Sequence, residues 1–343
     1  MKKKRSKLIS MLLTLVMTLS LVPAMGVTAS AAASGDGTKG NPFVVYTYED
    51  WKEKMELTGD KYIQLGDDID TSTMNGGLGL GPTEFVSAIG RSYLDLNGKK
   101  LTLKKSVIDT DGKIQFIRLT AGELIIEDSK GGGEIFGVNN VTRRYMQLID
   151  VIEDTKLTLN SGRLHLECNP DSDTPNATIF FSGTVEINGG TVSVSKWGEW
   201  DEPANRINRQ NFALQVASRT SRGCALINGG TFDGRVLLNA VAKDSDTANN
   251  VITGGDFKKS IYIQKNEKQT GDVPLNVSIQ GGTYHYTPGY RTNPADHLYY
   301  PGKKNSDPFN LFQFVTLGFR DDVELYDDTV YDAFKGGRLF QPD

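Results

Sequence analysis

The sequence predicts an all-β fold, a single-stranded parallel β-helix (solenoid) closed by an N-terminal helical cap. Three observations lead there. First, one frame recurs: Ile187-Asn-Gly-Gly-Thr-Val192, Ile227-Asn-Gly-Gly-Thr-Phe232, Ile252-Thr-Gly-Gly-Asp-Phe257 and Ile279-Gln-Gly-Gly-Thr-Tyr284. Looser copies precede these at Leu96–Leu101, Leu119–Leu124 and Leu159–Leu164. Second, the copies are spaced 23, 40, 28, 40, 25 and 27 residues apart, and self-similarity at such periods marks a solenoid, propeller or array. Third, each copy alternates apolar and polar residues around a glycine, the pattern of two half-buried strands meeting at a bend.

An Asn-Gly pair between alternating runs is also a hairpin signal, which would give an antiparallel sandwich or propeller. The columns favour the coil. Leu96, Leu119, Leu159, Ile187, Ile227, Ile252 and Ile279 form one expected inward column, and Leu101, Leu124, Leu164, Val192, Phe232, Phe257 and Tyr284 the next. Asn97, Asn160, Asn188 and Asn228 share a position from which stacked amides can bond from turn to turn, as Asn ladders do. Intervals near 25 residues suit one turn of three strands, and the 40-residue steps one turn plus an inserted loop.

The runs Leu94–Leu103, Leu124–Ser129 with Gly131–Ile135, and Leu157–Gly162 carry a resemblance. Over about residues 43 to 290 the chain resembles secreted right-handed parallel β-helix proteins of Gram-positive bacteria, within the broad pectate-lyase-like group. That resemblance implies a single-stranded right-handed parallel β-helix. It implies little about activity, because the group contains lyases, hydrolases and adhesins.

Taken in order, the chain begins with a basic stretch (Lys2, Lys3, Lys4, Arg5, Lys7), an apolar run from Leu8 to Val22 and Ala29-Ser30-Ala31. That pattern is a signal peptide over residues 1–33, so the expected location is secreted or extracellular, free or held at the cell envelope. The run is too short and too rich in Ser and Thr for a membrane span. Without the leader's five basic residues, the 38 basic and 42 acidic residues become a net charge of −9. A basic stripe is the footprint of nucleic-acid binding, and nucleic acid is excluded on that ground.

Residues 34–93 are read as the N-terminal cap and first strands. Thr47 precedes Tyr48-Glu-Asp-Trp-Lys-Glu-Lys-Met55 with an acid three residues on, an N-cap signal that predicts a short helix. Trp51 and Met55, four apart, form its apolar face, Gly59 is its expected end and Tyr62–Leu65 the expected first strand. A helix there covers open strand edges. Residues 94–286 are the β-helix turns and 287–343 an aromatic, Pro-rich C-terminal cap in which Leu311–Phe319 reads as strand.

Candidate chemistry is sparse. Asp67-Asp68 belongs to no wider motif and reads as a turn; glycoside hydrolysis needs a second carboxylate across the scissile bond. The Arg-based pattern of pectate lyases is absent, and His165, His285 and His297 share no metal-ligand spacing. No catalytic residue is assigned. Asp171 with Asp173, and Asp244 with Asp246, lie in two similar acidic loops that are candidate calcium ligands, although calcium takes six to eight oxygens. Cys168 and Cys224 fall about two turns apart in different columns, too far for a disulfide. Trp197, Glu199, Trp200 and Asp201 open an insertion and are the candidate glycan-binding residues, with indole faces for sugar C–H groups and carboxylates for hydroxyls. The expected function is a secreted, non-catalytic β-helix that binds a polysaccharide or surface glycan or serves structurally at the envelope. The alternative is a polysaccharide lyase or glycoside hydrolase.

Overall fold

The computed structural model describes residues 33–77, 80, 85–105, 114–139, 146–168, 176–195, 211–217, 223–240, 250–259, 261–265, 277–286, 290–291, 299–300 and 304–310. All belong to one unit, Ala33–Asp343.

Alternating inward and outward side chains give strands, and glycine-bearing bends fold each strand run back so that three sheets form, the first and second of nine strands and the third of seven. One coil shows the plan. Thr155–Leu159 lies in the first sheet, a tight corner leads to Arg163–Glu167 in the second, and a longer connection leads to Asn176–Phe181 in the third. The next coil repeats it with Thr184–Ile187, Thr191–Val194 and Asn211–Val216, each parallel to its counterpart. This is a parallel β-solenoid, and it fits the right-handed β-helix expected. Among the described strands the exceptions to parallel pairing lie near the C-terminal end, where Lys304–Asn310 runs antiparallel to Thr283–Tyr286 and Tyr290–Arg291 antiparallel to Tyr299–Tyr300, while single antiparallel bridges join Ser34 to Val44 and Thr38 to Asn41 at the N-terminal end.

The register corrects two of the expected columns. The first inward column is Leu94, Ile126, Leu159, Ile187, Ile227, Ile252 and Ile279. The second is Leu101, Ile135, Leu164, Val192, Phe232, Phe257 and Tyr284. Leu119 instead ends a third-sheet strand and pairs with Val151, and Leu124 sits in the first sheet opposite Leu157. The Leu119–Leu124 segment is therefore the corner between the third and first sheets. In that coil the frame's place is taken by Asp128, whose carboxylate accepts from the backbone N–H of Gly98 (2.7 Å) and Gly133 (2.6 Å).

The amide ladder forms over the later coils. Asn188 Nδ2 donates to Asn160 Oδ1 (3.0 Å), Asn228 Nδ2 to Asn188 Oδ1 (2.9 Å) and Thr253 Oγ1 to Asn228 Oδ1 (3.0 Å). Asn97 does not join it. The corner there is wider, Asn97 adopts a positive φ of 53°, and its Nδ2 donates to the carbonyl of Leu65 (2.8 Å). A second, shorter amide ladder opens the third sheet, where Asn176 Nδ2 donates to Asn211 Oδ1 (2.8 Å).

Inside, successive coils stack like on like. Phe232, Phe257 and Tyr284 lie face to face at 4.9 and 5.1 Å, and the Tyr284 hydroxyl donates to the carbonyl of Gly281. Cys168 and Cys224 are buried and form no disulfide with each other. Burial pushes the Cys224 thiol up to about 11, which keeps it a protonated, inert core residue.

At the N-terminal end the predicted helix, α1, spans Tyr48–Met55, and Thr47 Oγ1 accepts from the Asp50 N–H (3.1 Å). Trp51 and Met55 are fully buried. Two details differ from expectation. The helix stops at Met55, with Glu56 as its C-cap, before Gly59. The first strand is Phe43–Val45, which pairs parallel with Lys61–Leu65. The cap is thus a strand–helix–strand crossover, so α1 stands where later coils carry two sheets. Lys61 points inward at this end, donating to the carbonyls of Leu57 and Ile89. Burial lowers its pKa, partly offset by Asp60. No helix among the described residues is long and apolar enough to cross a membrane.

Candidate functional site

Outward residues of the second sheet alternate with the apolar column, and in-register stacking collects them into rows. One row is Lys100, Glu134, Arg163 and Thr191; the next is Thr102, Phe136, His165, Ser193 and Asp233. Each residue is ordinary in sequence. Stacking about 4.8 Å apart makes them neighbours.

Glu134 is the centre of the first row. Its Oε2 lies 2.9 Å from Lys100 Nζ and its Oε1 3.0 Å from Arg163 Nη1. The carboxylate is largely covered while both cations keep nearly half their surface open. In the second row the rings of Phe136 and His165 stack at 5.4 Å with 5° between planes, and Lys100 Nζ sits 4.0 Å from the centre of Phe136. Phe136 is therefore sandwiched between an ammonium and an imidazole and presents its edge to solvent.

Ser193 Oγ lies 2.8 Å from His165 Nδ1 and 3.3 Å from Arg163 Nε, and Arg163 Nη2 lies 3.3 Å from the same Nδ1. With the guanidinium facing it, Nδ1 is the acceptor, which puts the ring proton on Nε2. Burial first, and then the Arg163 charge, lower the His165 pKa below its ordinary 6.5. Ser193 is buried and its Oγ also approaches the Leu164 carbonyl at 3.4 Å. A Ser–His contact is thus present, but the hydroxyl is enclosed and cannot meet a substrate carbonyl.

Further along the same sheet Asp256, Lys258 and His285 form a second group. Lys258 Nζ is 2.6 Å from Asp256 Oδ2, and His285 Nε2 is 2.8 Å from Asp256 Oδ1. Among the described residues there is no group of three or more His, Cys, Asp or Glu able to hold a metal.

The third sheet carries a different cluster. Gln115 Nε2 donates to Gln147 Oε1 (3.1 Å) and to Asp150 Oδ2. Arg118 Nε lies 3.5 Å from that same oxygen without a hydrogen bond, and its guanidinium is 6.0 Å from the centre of the Phe85 ring.

Most of the residues singled out in the sequence are not among the described ones. Trp197, Glu199, Trp200 and Asp201, the pair Asp171 and Asp173, and the pair Asp244 and Asp246 fall outside the described residues, as do the leader to Ala32 and Leu311–Phe319. The described strands flanking them fix only where each segment leaves the coil. The Trp197 segment and the Asp171 segment connect the second sheet to the third, whereas the Asp244 segment connects the third to the first. Asp67 and Asp68 occupy a bend that serves the next coil: Asp68 Oδ1 accepts from the Lys100 N–H (2.8 Å), and Asp67 lies 3.4 Å from Lys99. His165 does take its place in an outward ladder between inward Leu164 and Leu166. Sequence reasoning misses the cluster of Lys100, Glu134, Phe136, Arg163 and Ser193. Aligning residues on the true second column would reveal it, since its members flank Leu101, Ile135, Leu164 and Val192. Comparison with protein-family models, curated proteins and solved structures finds no match for this chain.

Proposed function

We propose that the protein is a secreted, non-catalytic β-helix that holds a polysaccharide or cell-surface glycan along the outer face of its second sheet. The observation that carries this reading is the polar row Lys100–Glu134–Arg163, in which two exposed cations flank one shared, covered carboxylate, the Arg163 contact being an ion pair without a hydrogen bond. Donors held in advance lose little conformational freedom on meeting hydroxyl or carboxylate groups. Support for a binding rather than a cutting role comes from how the charged groups are used. Asp95 accepts from Gln64, Asn97 and Ser129, and Asp128 from Gly98 and Gly133. These carboxylates knit coils together. Trp197, Glu199, Trp200 and Asp201 follow strand Thr191–Val194 in the chain, and in this proposal they are the residues that would stack on and bond a sugar. Calcium at the Asp171/Asp173 or Asp244/Asp246 loops would be an accessory to binding.

Calorimetric titration with fragments of envelope and plant polysaccharides tests the reading. A binding fragment should lose at least about tenfold in affinity, some 1.4 kcal/mol, in Lys100→Gln/Arg163→Gln with the circular dichroism unchanged. Equal binding by that variant sinks the assignment to this face. A second reading, a lyase or hydrolase, draws on the Arg118–Asp150 pair of the third sheet. It requires release of unsaturated or reducing products from pectate, alginate, xylan or chondroitin, lost in Arg118→Gln. The first reading expects no such release, with or without calcium.

A further inference from the structure

The outer face of the first sheet carries a feature that the glycan reading does not use. Strands Lys61–Leu65 and Arg91–Asp95 pair with Tyr62 opposite Tyr93. Their rings stack with centroids 4.1 Å apart and 4° between planes, closer than any other described ring pair. Both side chains are half-exposed. The Tyr62 phenol is held above its ordinary pKa of 10.0, first by partial burial and then by its hydrogen bond with the Tyr93 hydroxyl. Parallel strands in register point the two rings the same way. With the rings stacked and pointing the same way, the ring carbons flanking each hydroxyl lie across the stack from their counterparts.

We propose that Tyr62 and Tyr93 form a site of oxidative cross-linking, a carbon–carbon bond between the two rings made by a peroxidase-type one-electron oxidant with hydrogen peroxide. Each phenol gives up one electron and its hydroxyl proton. The two phenoxyl radicals couple through ring carbons adjacent to the oxygens, and each ring-carbon proton then moves to its oxygen, restoring both hydroxyls. The pair loses two electrons and two protons, which reduce one hydrogen peroxide to two waters. Parallel in-register strands hold the reacting carbons together before any radical forms, so the coupling is intramolecular and gains the advantage of proximity. The bond would tie the cap strand Lys61–Leu65 to the first full coil.

The chain has 13 tyrosines, which serve as internal competitors. The folded protein is treated with peroxidase and limiting peroxide, digested and analysed by mass spectrometry. A Tyr62–Tyr93 peptide pair lighter by two hydrogens should be the first cross-link to appear, at a rate independent of protein concentration, with the blue fluorescence of a biphenol. Tyr62→Phe and Tyr93→Phe should each abolish it while the far-ultraviolet dichroism stays intact. The cross-linked protein should melt at a higher temperature than its untreated parent. Oxidation of other tyrosines with no Tyr62–Tyr93 product, or cross-linking that disappears on dilution, overturns the proposal.

Discussion

At the corner between the first and second sheets, the two glycines of each frame copy do different jobs. The first allows close approach: a Cβ on Gly189 would meet the carbonyl oxygen of Asn160 at 2.5 Å, and one on Gly229 that of Asn188 at 2.6 Å. The second supplies a left-handed conformation, with φ of 76° at Gly190 and 86° at Gly230. A Cβ on Gly190 would also lie 2.5 Å from the Gly162 carbonyl oxygen. Gly190→Val adds β-branching to both problems. It is expected to destabilise by well over about 1 kcal/mol in urea unfolding, the scale of an ordinary substitution; a smaller loss would show that the corner can relax. His165 gives a second residue-level expectation. Its folded pKa lies below 6.5. Above that pH both states hold the imidazole neutral and the contribution is fully present. As pH falls below 6.5 the unfolded chain takes the proton first, so stability is lost until the folded ring protonates too. The urea midpoint of the parent should therefore fall between about pH 7 and pH 5 more steeply than that of His165→Gln. Parallel slopes would show that the ring titrates as freely folded as unfolded.

Elements are legible in the sequence in proportion to how completely the backbone geometry dictates their residues. The corners at Asn188 and Asn228 can be read because every position in the frame is constrained: ladder amide, close-approach glycine, left-handed glycine and inward apolar residue. The earlier coil misleads because Asp128 does the capping there with two oxygens, and the corner is longer. Similarity of short strings cannot reveal that a different side chain satisfies the same backbone groups. Helix α1 is legible almost to the residue because Thr47 and the Trp51/Met55 face are local signals. Its partner strand Phe43–Val45 is not, because parallel pairing is non-local. The polar strip is harder still, because it consists of residues roughly 30 apart whose meeting depends on register. Thr47→Ala should cost about 1 kcal/mol through the lost cap. Trp51→Ala should cost about 3–5 kcal/mol through the cavity it leaves. Both are measurable by denaturant unfolding, and equal effects would mean that the buried face of α1 does not anchor the cap.

On the scale of the whole molecule, stability is a sum of coils and of the contacts between neighbouring coils, so the ends matter out of proportion to their size. The N-terminal end is covered by Phe43–Val45 and α1, and the second sheet ends in the antiparallel strand Lys304–Asn310. Deleting residues 43–56 would expose the edge of Lys61–Leu65 together with the apolar surface beneath Trp51 and Met55. Exposed parallel edges recruit other chains. The deletion is expected to run as oligomers or aggregate on size-exclusion chromatography where the parent runs as one species. An unchanged elution would show that the crossover is dispensable as a cap.

The crossover also sets a direction in time. Its strand pair is laid down once the chain has reached Leu65, and α1 is closed over when Val86–Ala88 packs against it and the Ile89 N–H donates to the Met55 carbonyl. A chain made from its N-terminus thus has a paired edge, Lys61–Leu65, before the first full coil emerges, and that coil completes the burial of α1. Each later coil adds to an edge that already exists, and its partner lies only 25 to 40 residues behind along the first column. The closure entropy of each addition stays nearly constant as the chain lengthens. The protein can therefore assemble coil by coil in the order of its synthesis, without a search across the whole sequence.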